Sequence, residues 1–130
     1  MSSTKDFRTP LKNAQGLGSA KAGLHHWLVQ RYTAAALVVL GIWFLYFVIS
    51  LIHVDYVAAT DAIAKPWNAV ALVAFLLATF WHTQLGMQVI LEDYVHAPLM
   101  AMISQLLVRF ICILGALASV FAVVRIALGN

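Results

Sequence analysis

The sequence predicts an all-α integral membrane protein with three transmembrane helices. Hydrophobic residues make up 63% of its 130 residues and charged residues only 10%, whereas an ordinary soluble domain is about 25% charged. The charges are also unevenly spaced, because Asp, Glu, Lys and Arg are all missing from 32–54, 66–91, 94–108 and 110–124. A membrane-crossing helix needs about 20 mostly apolar residues. The last two stretches are separated only by Arg109, so the chain has room for three crossings.

The spans are predicted at about 32–52, 67–91 and 99–124, within one membrane domain of residues 25–130. A basic, glycine-containing N-terminal tail, residues 1–24, precedes this domain. Proline is favoured at the first position of a helix, and Pro66 and Pro98 stand where the second and third helices should begin. The segment between the first two spans is predicted to be a short polar loop carrying His53, Asp55, Asp61 and Lys65.

Positive charge is concentrated before the first span, on Lys5, Arg8, Lys12, Lys21 and Arg31. The loop after that span has one lysine, and the C-terminus has one arginine. The positive-inside rule therefore predicts a cytoplasmic N-terminus, and three crossings then predict a periplasmic C-terminus. In this topology the end of the second span returns to the side on which His25 and Arg31 lie.

The second span carries a histidine, His82, about nine residues before its far end. An ionisable side chain inside hydrocarbon costs several kcal/mol, so it is a functional candidate by default. Ala78 and Gly86 lie one helical turn to either side of His82. Two small residues flanking an imidazole on one helix face leave the space that a flat macrocycle requires.

A neutral imidazole at this depth is a suitable axial ligand for haem iron. The other four histidines are predicted near the interfaces, His53 on one side and His25, His26 and His96 on the other. A six-coordinate b-type haem would therefore need its second ligand from another chain. The alternative is a structural role, in which His82 bonds a backbone carbonyl or a Thr or Gln of a neighbouring helix.

The residues that follow His82 suit a quinone. Asp93 is eleven residues further on, which returns it to nearly the same helix face about 16 Å away. Tyr94 offers a phenol donor to a quinone carbonyl, Asp93 can relay protons, and Arg31 supplies a cation for a quinone or a haem propionate. The alternative for Asp93 and Tyr94 is a helix-end turn with an interfacial aromatic. His25 and Arg31 differ by about 120° around a helix, so a shared role needs a bend or a large ligand.

Four residues of the third span support three separate predictions. Arg109 either extends its long stem towards the near interface or pairs with a buried anion. Cys112, the only cysteine, is predicted to be a small packing residue, since one cysteine forms no internal disulfide. Gly115 and Ser119 form a pair of small residues suited to close helix contact.

Four motifs stand out along the chain: His82-Thr83-Gln84-Leu85-Gly86 with Gln88-Val89, Asp93-Tyr94-Val95, Gly18-Ser19-Ala20-Lys21, and His26-Trp27 with Gln30-Arg31-Tyr32-Thr33-Ala34. Together they resemble the D-type hydrophobic membrane-anchor subunits of succinate dehydrogenase, or complex II, in their alphaproteobacterial form. The resemblance covers about residues 8–98 and the three-span layout. The spacing from His82 to Gly86 and to Asp93-Tyr94 is the most specific part.

The resemblance implies that His82 is an axial ligand of haem b, with the other ligand supplied by a C-type cytochrome b anchor chain. It implies that Tyr94 contacts the ubiquinone head and that Asp93 supports this site. Arg31 and His25 are implied to lie near the haem propionates or the quinone. Arg109 has no place in the family pattern.

The resemblance also implies two soluble partners, a flavoprotein subunit with FAD and an iron–sulfur subunit, in a succinate:ubiquinone oxidoreductase of the respiratory chain. The complex would lie in the bacterial inner membrane, or in the mitochondrial inner membrane of a eukaryote. One cysteine cannot ligate a cluster, so this chain alone should not oxidise succinate. The alternatives are a quinol:fumarate reductase anchor, an assembly anchor without haem, and a small membrane transporter with His82 and Arg109 on its path.

Overall fold

The computed structural model describes residues 21–129, with side chains from residue 23 onwards. This part of the chain contains four helices: α1 (Lys21–Ser50), α2 (Tyr56–Ala64), α3 (Pro66–Tyr94) and α4 (Pro98–Ala127). Helices α1, α3 and α4 are long and apolar enough to cross a membrane, which confirms the all-α class with three candidate spans. Most of the N-terminal tail predicted for residues 1–24 lies outside the described residues.

Helix α1 begins well before the apolar stretch that predicted the first span. It is continuous from Lys21 to Ser50, so no break in the helix separates His25 from Arg31. No proline interrupts this segment, and a helix therefore continues through it although its side chains are more polar. The apolar pattern identified the part of α1 that suits hydrocarbon. It did not identify where the helix begins.

The prediction of a polar loop between the first two spans was wrong over most of its length. Residues 56–64 form α2, a nine-residue helix. The carboxylate of Asp55 accepts a hydrogen bond from the backbone N–H of Ala58 at 2.9 Å, which is the usual stabilising contact of a helix N-cap. Asp55, which was predicted to lie in a polar loop, is therefore the N-cap residue of α2.

The two prolines begin α3 and α4, as predicted. Pro66 and Pro98 each occupy the first turn of their helix, where the missing N–H removes no intrahelical hydrogen bond. At the other end of α3, the N–H of Val95 donates to the carbonyl of Leu91 at 2.9 Å. The connection between α3 and α4 is consequently a tight turn of three residues, 95–97.

Helix α3 is the central helix of the described structure. It packs against both α1 and α4, whereas no Cα of α1 lies within 8 Å of a Cα of α4. Phe44 stacks on Phe75 with ring centroids 4.4 Å apart, and Thr33 contacts His82. Later positions in α1 thus meet earlier positions in α3, so the two helices are antiparallel. The C-terminal end of α3 therefore lies beside the N-terminal end of α1.

Helices α3 and α4 pack closely at Gly115. A Cβ added there would lie 2.5 Å from Cε1 of Phe80, which is closer than two carbon atoms approach without a shift. The hydroxyl of Ser119 donates to the carbonyl of Gly115 at 2.7 Å. The predicted use of Gly115 for close helix contact is confirmed, and Cys112, a free and buried cysteine, packs in the same helix.

Few hydrophobic side chains of this chain are covered by its own atoms. Within residues 23–129 the buried ones are Phe47, Leu72, Leu85 and Cys112. Large apolar side chains are exposed along all three long helices. Such surfaces suit helices that face lipid or the helices of a partner, because hydrocarbon imposes no penalty for exposed apolar groups.

Candidate cofactor site around His82

His82 lies on the face of α3 that packs against α1. Its side chain is half-buried, and its Nδ1 is 3.0 Å from the hydroxyl oxygen of Thr33. The two residues are far apart in the sequence and meet because α1 and α3 are antiparallel. The contact fixes the orientation of the imidazole ring relative to both helices.

The hydrogen bonds of Thr33 favour one tautomer of His82. The Thr33 hydroxyl lies 3.0 Å from the carbonyl oxygens of Val29 and Gln30, and its single hydrogen is donated to them. Its oxygen is then the acceptor for the N–H at Nδ1 of His82. A neutral imidazole with hydrogen on Nδ1 carries a lone pair on Nε2. No hydrogen bond to Nε2 occurs among the described residues, so this lone pair is available to a ligand.

A cavity of about 360 Å³ opens beside the imidazole, lined by Trp27, Gln30, Arg31, Ala34 and His82. The guanidinium carbon of Arg31 lies 5.4 Å from the ring centroid of Trp27, within range of a cation–π interaction. The cavity therefore combines an imidazole nitrogen, a cation and an aromatic wall. This set of groups suits a flat ligand that carries negative charge at its edge.

The space next to His82 along α3 is also open. Apart from its chain neighbours and the backbone of α3 itself, a Cβ added to Gly86, one turn from His82, would have no atom of the described chain within 4 Å. Ala34 contributes only a methyl group to the cavity wall. The residues present fit a planar macrocycle held by the imidazole, because neither helix places a bulky side chain at these two positions.

The structure brings together some of the predicted site residues and leaves others apart. Arg31 lines the same cavity as His82, whereas His25, Asp93 and Tyr94 do not. All three of these side chains are exposed, and Tyr94 is 79% exposed. Asp93 and Tyr94 lie at the end of α3 that is beside the start of α1. They share an end of the molecule with His25, and none of the three lines the cavity around His82.

Sequence reasoning assigned no role at this site to three residues of α1. Trp27 and Gln30 line the cavity, and Thr33 contacts the imidazole of His82. All three belong to the motif His26-Trp27 with Gln30-Arg31-Tyr32-Thr33-Ala34, which was the available signal for them. His26, the neighbour of His25, is half-buried, and its Nε2 is buried without a hydrogen-bond partner in the described residues. His26 therefore faces the protein interior more than His25 does.

The described residues offer few side chains that could bind a metal ion together. Within residues 21–129 no three His, Cys, Asp or Glu side chains come together in a metal-binding arrangement. An iron bound to His82 would therefore need further ligands from a macrocycle and a partner chain. The fold and the site define a class of protein: a three-helix membrane anchor with a half-open cavity around one histidine.

Comparison with known proteins identifies the family. The chain matches the family model described as "Succinate dehydrogenase/Fumarate reductase transmembrane subunit" over residues 5–124. The chain belongs to this family and is a membrane-anchor subunit of the succinate dehydrogenase type. This result confirms the resemblance inferred from the motifs around His82 and Arg31.

Curated relatives agree with the family model. The succinate dehydrogenase hydrophobic membrane anchor subunit of Rickettsia bellii is 36% identical over 92% of this chain and 96% of its own length. The same subunit of Rickettsia conorii is 34% identical over 90% of this chain and 94% of the relative. That of Paracoccus denitrificans is 30% identical, with 68% of each chain covered.

Proposed function

We propose that this chain is the D-type anchor of a succinate:ubiquinone oxidoreductase. In this role it attaches a flavoprotein subunit and an iron–sulfur subunit to the membrane, supplies one axial ligand of haem b, and forms part of the ubiquinone-reduction site. The main supporting observation is the His82 imidazole, held by Thr33 through Nδ1 and open to a ligand at Nε2. FAD and the iron–sulfur clusters belong to the partner subunits in this proposal.

The haem b would be held by His82 through Nε2, and Arg31 would pair with a propionate. Haem supplies one-electron transfer when it is bound. The protein's contribution is orientation: Thr33 restrains the ring of His82, and the Trp27 ring restrains the guanidinium of Arg31. His25 is proposed as a further neighbour of the propionates or the quinone.

The second axial ligand would come from a C-type cytochrome b anchor chain. Among the described residues, the cavity around His82 is lined by side chains of α1 and α3, so residues 21–129 would leave one side of a bound macrocycle uncovered. A six-coordinate haem needs a ligand on that side. The exposed apolar faces of the three long helices are suited to packing against such a partner.

Tyr94 and Asp93 are proposed to form this chain's part of the quinone site. Both side chains are exposed at the end of α3, where a partner subunit can complete a pocket over them. The Tyr94 hydroxyl would donate to a quinone carbonyl, and Asp93 would support proton delivery. This end of α3 lies beside the start of α1, which the positive-inside rule assigns to the cytoplasmic side.

The direction of the catalysed reaction has two candidates. The family model includes both succinate dehydrogenase and fumarate reductase transmembrane subunits, whereas the curated relatives are named as succinate dehydrogenase anchors. We therefore place a succinate:ubiquinone reductase first and a quinol:fumarate reductase second. The family membership disfavours the transporter hypothesis. The proposed location is the bacterial inner membrane, or its mitochondrial counterpart.

The test is purification of the tagged chain from membranes in mild detergent, followed by identification of the co-purifying proteins and a visible spectrum. A flavoprotein, an iron–sulfur protein, a second three-span chain and a b-type spectrum are expected, together with succinate-dependent ubiquinone reduction. Recovery of this chain as a homo-oligomer without haem would contradict the proposal. Faster fumarate reduction than succinate oxidation would favour the second candidate.

A further inference from the structure

The cavity around His82 contains a polar side chain that the proposed haem contacts do not use. Gln30 lines this cavity together with Arg31 and His82. Its side chain is half-buried, and its amide forms no hydrogen bond within residues 21–129. A glutamine amide has two N–H donors and one carbonyl acceptor. These groups are therefore available to a ligand at the wall of the cavity.

Helix geometry places Gln30 between the residue that holds His82 and a residue that walls the cavity. At about 100° per residue, Gln30 is about 60° around α1 from Thr33 and about 40° from Ala34, in opposite directions. Thr33 contacts His82, and Ala34 lines the cavity. Gln30 therefore lies where the contact between α1 and α3 meets the open space.

The amide of Gln30 and the guanidinium of Arg31 extend towards the same end of the cavity. Both residues precede Thr33 in α1, by about 4.5 Å and 3 Å along the helix axis. Side chains of a helix point towards its N-terminus, so both polar groups extend further in that direction. The guanidinium carbon lies 5.4 Å from the Trp27 ring centroid. One end of the cavity thus has a cation and an uncharged donor group side by side.

The charges around the cavity favour an anion at this end. Arg31 brings a positive charge to the lining, and among the described residues the lining includes no acidic side chain. A b-type haem carries two propionates, and one guanidinium neutralises one of them. The remaining carboxylate oxygens need donors when they leave water. An amide supplies N–H groups without a second positive charge.

Thr33 connects the backbone of Gln30 with the imidazole of His82. The hydroxyl oxygen of Thr33 lies 3.0 Å from the carbonyl oxygen of Gln30 and 3.0 Å from Nδ1 of His82. The same hydroxyl therefore holds both residues. The side chain of Gln30 consequently starts from a fixed position relative to the proposed iron ligand.

We propose that Gln30 is a positioning residue for haem b, whose amide donates a hydrogen bond to a propionate oxygen beside the Arg31 contact. This inference rests on the proposed function, because it requires haem at His82. The hydrogen bond restrains the edge of the macrocycle and stabilises the propionate charge. Reduction of the iron adds an electron near this negative charge, so a stabilised propionate opposes reduction less. Gln30 therefore retains the haem and raises its midpoint potential.

The test compares complete complexes purified with wild-type chain or with Gln30→Leu, which removes the donors and keeps a similar volume. We expect haem retention to be about tenfold weaker in the variant, the effect of losing one hydrogen bond to a charged group. Retention is measured as haem transfer to apomyoglobin. The midpoint potential of the haem that stays bound should fall, which a purely structural role of Gln30 would not cause. Gln30→Glu should lower the potential further, because its carboxylate repels the propionate.

The dimethyl ester of haem identifies the group that the amide contacts. Complexes assembled in haem-deficient cells are titrated with protohaem and, separately, with its dimethyl ester, which has no propionate charge. The affinity ratio between wild type and Gln30→Leu should be about tenfold for protohaem. It should be smaller for the ester, because a neutral oxygen accepts a weaker hydrogen bond than a carboxylate. Equal ratios for the two compounds would overturn the proposal.

Gln105→Leu is the matched control, because Gln105 is a half-buried glutamine of α4 that does not line the cavity around His82. This variant should retain the haem affinity and midpoint potential of the wild type. An equal loss of haem in both leucine variants would contradict the inference. Unchanged retention and potential in Gln30→Leu would also overturn it and leave the proposed function intact. A wild-type complex without haem would contradict both.

Discussion

Thr33 of α1 and His82 of α3 are joined by one hydrogen bond of 3.0 Å across the antiparallel contact of the two helices. A hydrogen bond to a threonine of a neighbouring helix was the structural alternative to haem ligation. The two roles are compatible, because an imidazole has two nitrogens and this bond occupies only Nδ1. A carbonyl or hydroxyl partner on the remote nitrogen is also the usual way in which a protein orients a metal-binding histidine.

His82→Ala is expected to abolish or strongly alter the haem b signal of the purified complex. The substitution removes the imidazole that lines the cavity beside Arg31. The measurement is the reduced-minus-oxidised visible spectrum, normalised to the co-purifying flavin. His53→Ala changes an exposed histidine outside this cavity and should leave the spectrum intact. An unchanged spectrum in His82→Ala would remove the ligand assignment.

Thr33→Val should weaken haem retention about 10- to 100-fold, the usual effect of removing a hydrogen-bond partner from a metal-binding histidine. Valine preserves the shape of threonine but leaves Nδ1 of His82 without its acceptor. Thr33→Ser restores the hydroxyl and should retain haem. Retention is measured as haem per complex after dilution into haem-scavenging apomyoglobin.

Thr79→Val is the matched control for the Thr33 variant. The Thr79 hydroxyl bonds only the carbonyl of Phe75 in its own helix, at 2.7 Å, and it lies near His82 in the sequence. Loss of haem in both valine variants would indicate a general effect of threonine replacement. Retention in Thr33→Val would show that the bond to His82 does not support ligand binding.

Tyr94→Phe should slow ubiquinone reduction about threefold to tenfold, because it removes one hydrogen-bond donor from the quinone. Succinate oxidation with an artificial acceptor at the soluble subunits should persist. Tyr56→Phe is a suitable control, since Tyr56 is similarly exposed, 81% against 79% for Tyr94, and belongs to α2. Full quinone activity in Tyr94→Phe would exclude the phenol from the reaction.

Gly115→Ala should destabilise the chain by about 1–3 kcal/mol through overpacking. The added Cβ would lie 2.5 Å from Cε1 of Phe80, so the ring must move from its place between α3 and α4. The measurement is thermal inactivation or aggregation in detergent. Phe80→Leu combined with Gly115→Ala should recover part of the loss, because leucine leaves room for the methyl group.

Gly41→Ala provides the contrast for the Gly115 variant. Apart from its chain neighbours and the backbone of α1 itself, a Cβ at Gly41 meets no atom of the described chain within 4 Å. Alanine is favoured over glycine within a helix by about 1 kcal/mol. The variant should therefore be neutral or slightly stabilising in this chain. Equal stability of both alanine variants would show that the contact between Gly115 and Phe80 is not tight in solution.

The sequence by itself determined the class, the family and the identity of the main candidates. Long apolar stretches separated by charges and prolines specify spanning helices, because hydrocarbon excludes most polar residues. The pattern failed where polar residues belong to helices. It missed α2, since hydropathy indicates whether a segment suits lipid or water and does not indicate whether its backbone forms helical hydrogen bonds.

Only the tertiary structure decided which predicted residues share a site. Helix periodicity relates residues within one helix, but the pairing of Thr33 with His82 depends on the relative position and rotation of α1 and α3. The same packing joins Arg31 to His82 and leaves Tyr94 exposed. It also gathers Arg109 with glutamines of α3, although no motif connects them. Such contacts depend on how side chains of neighbouring helices pack together. The spacing of residues along the sequence does not specify this packing.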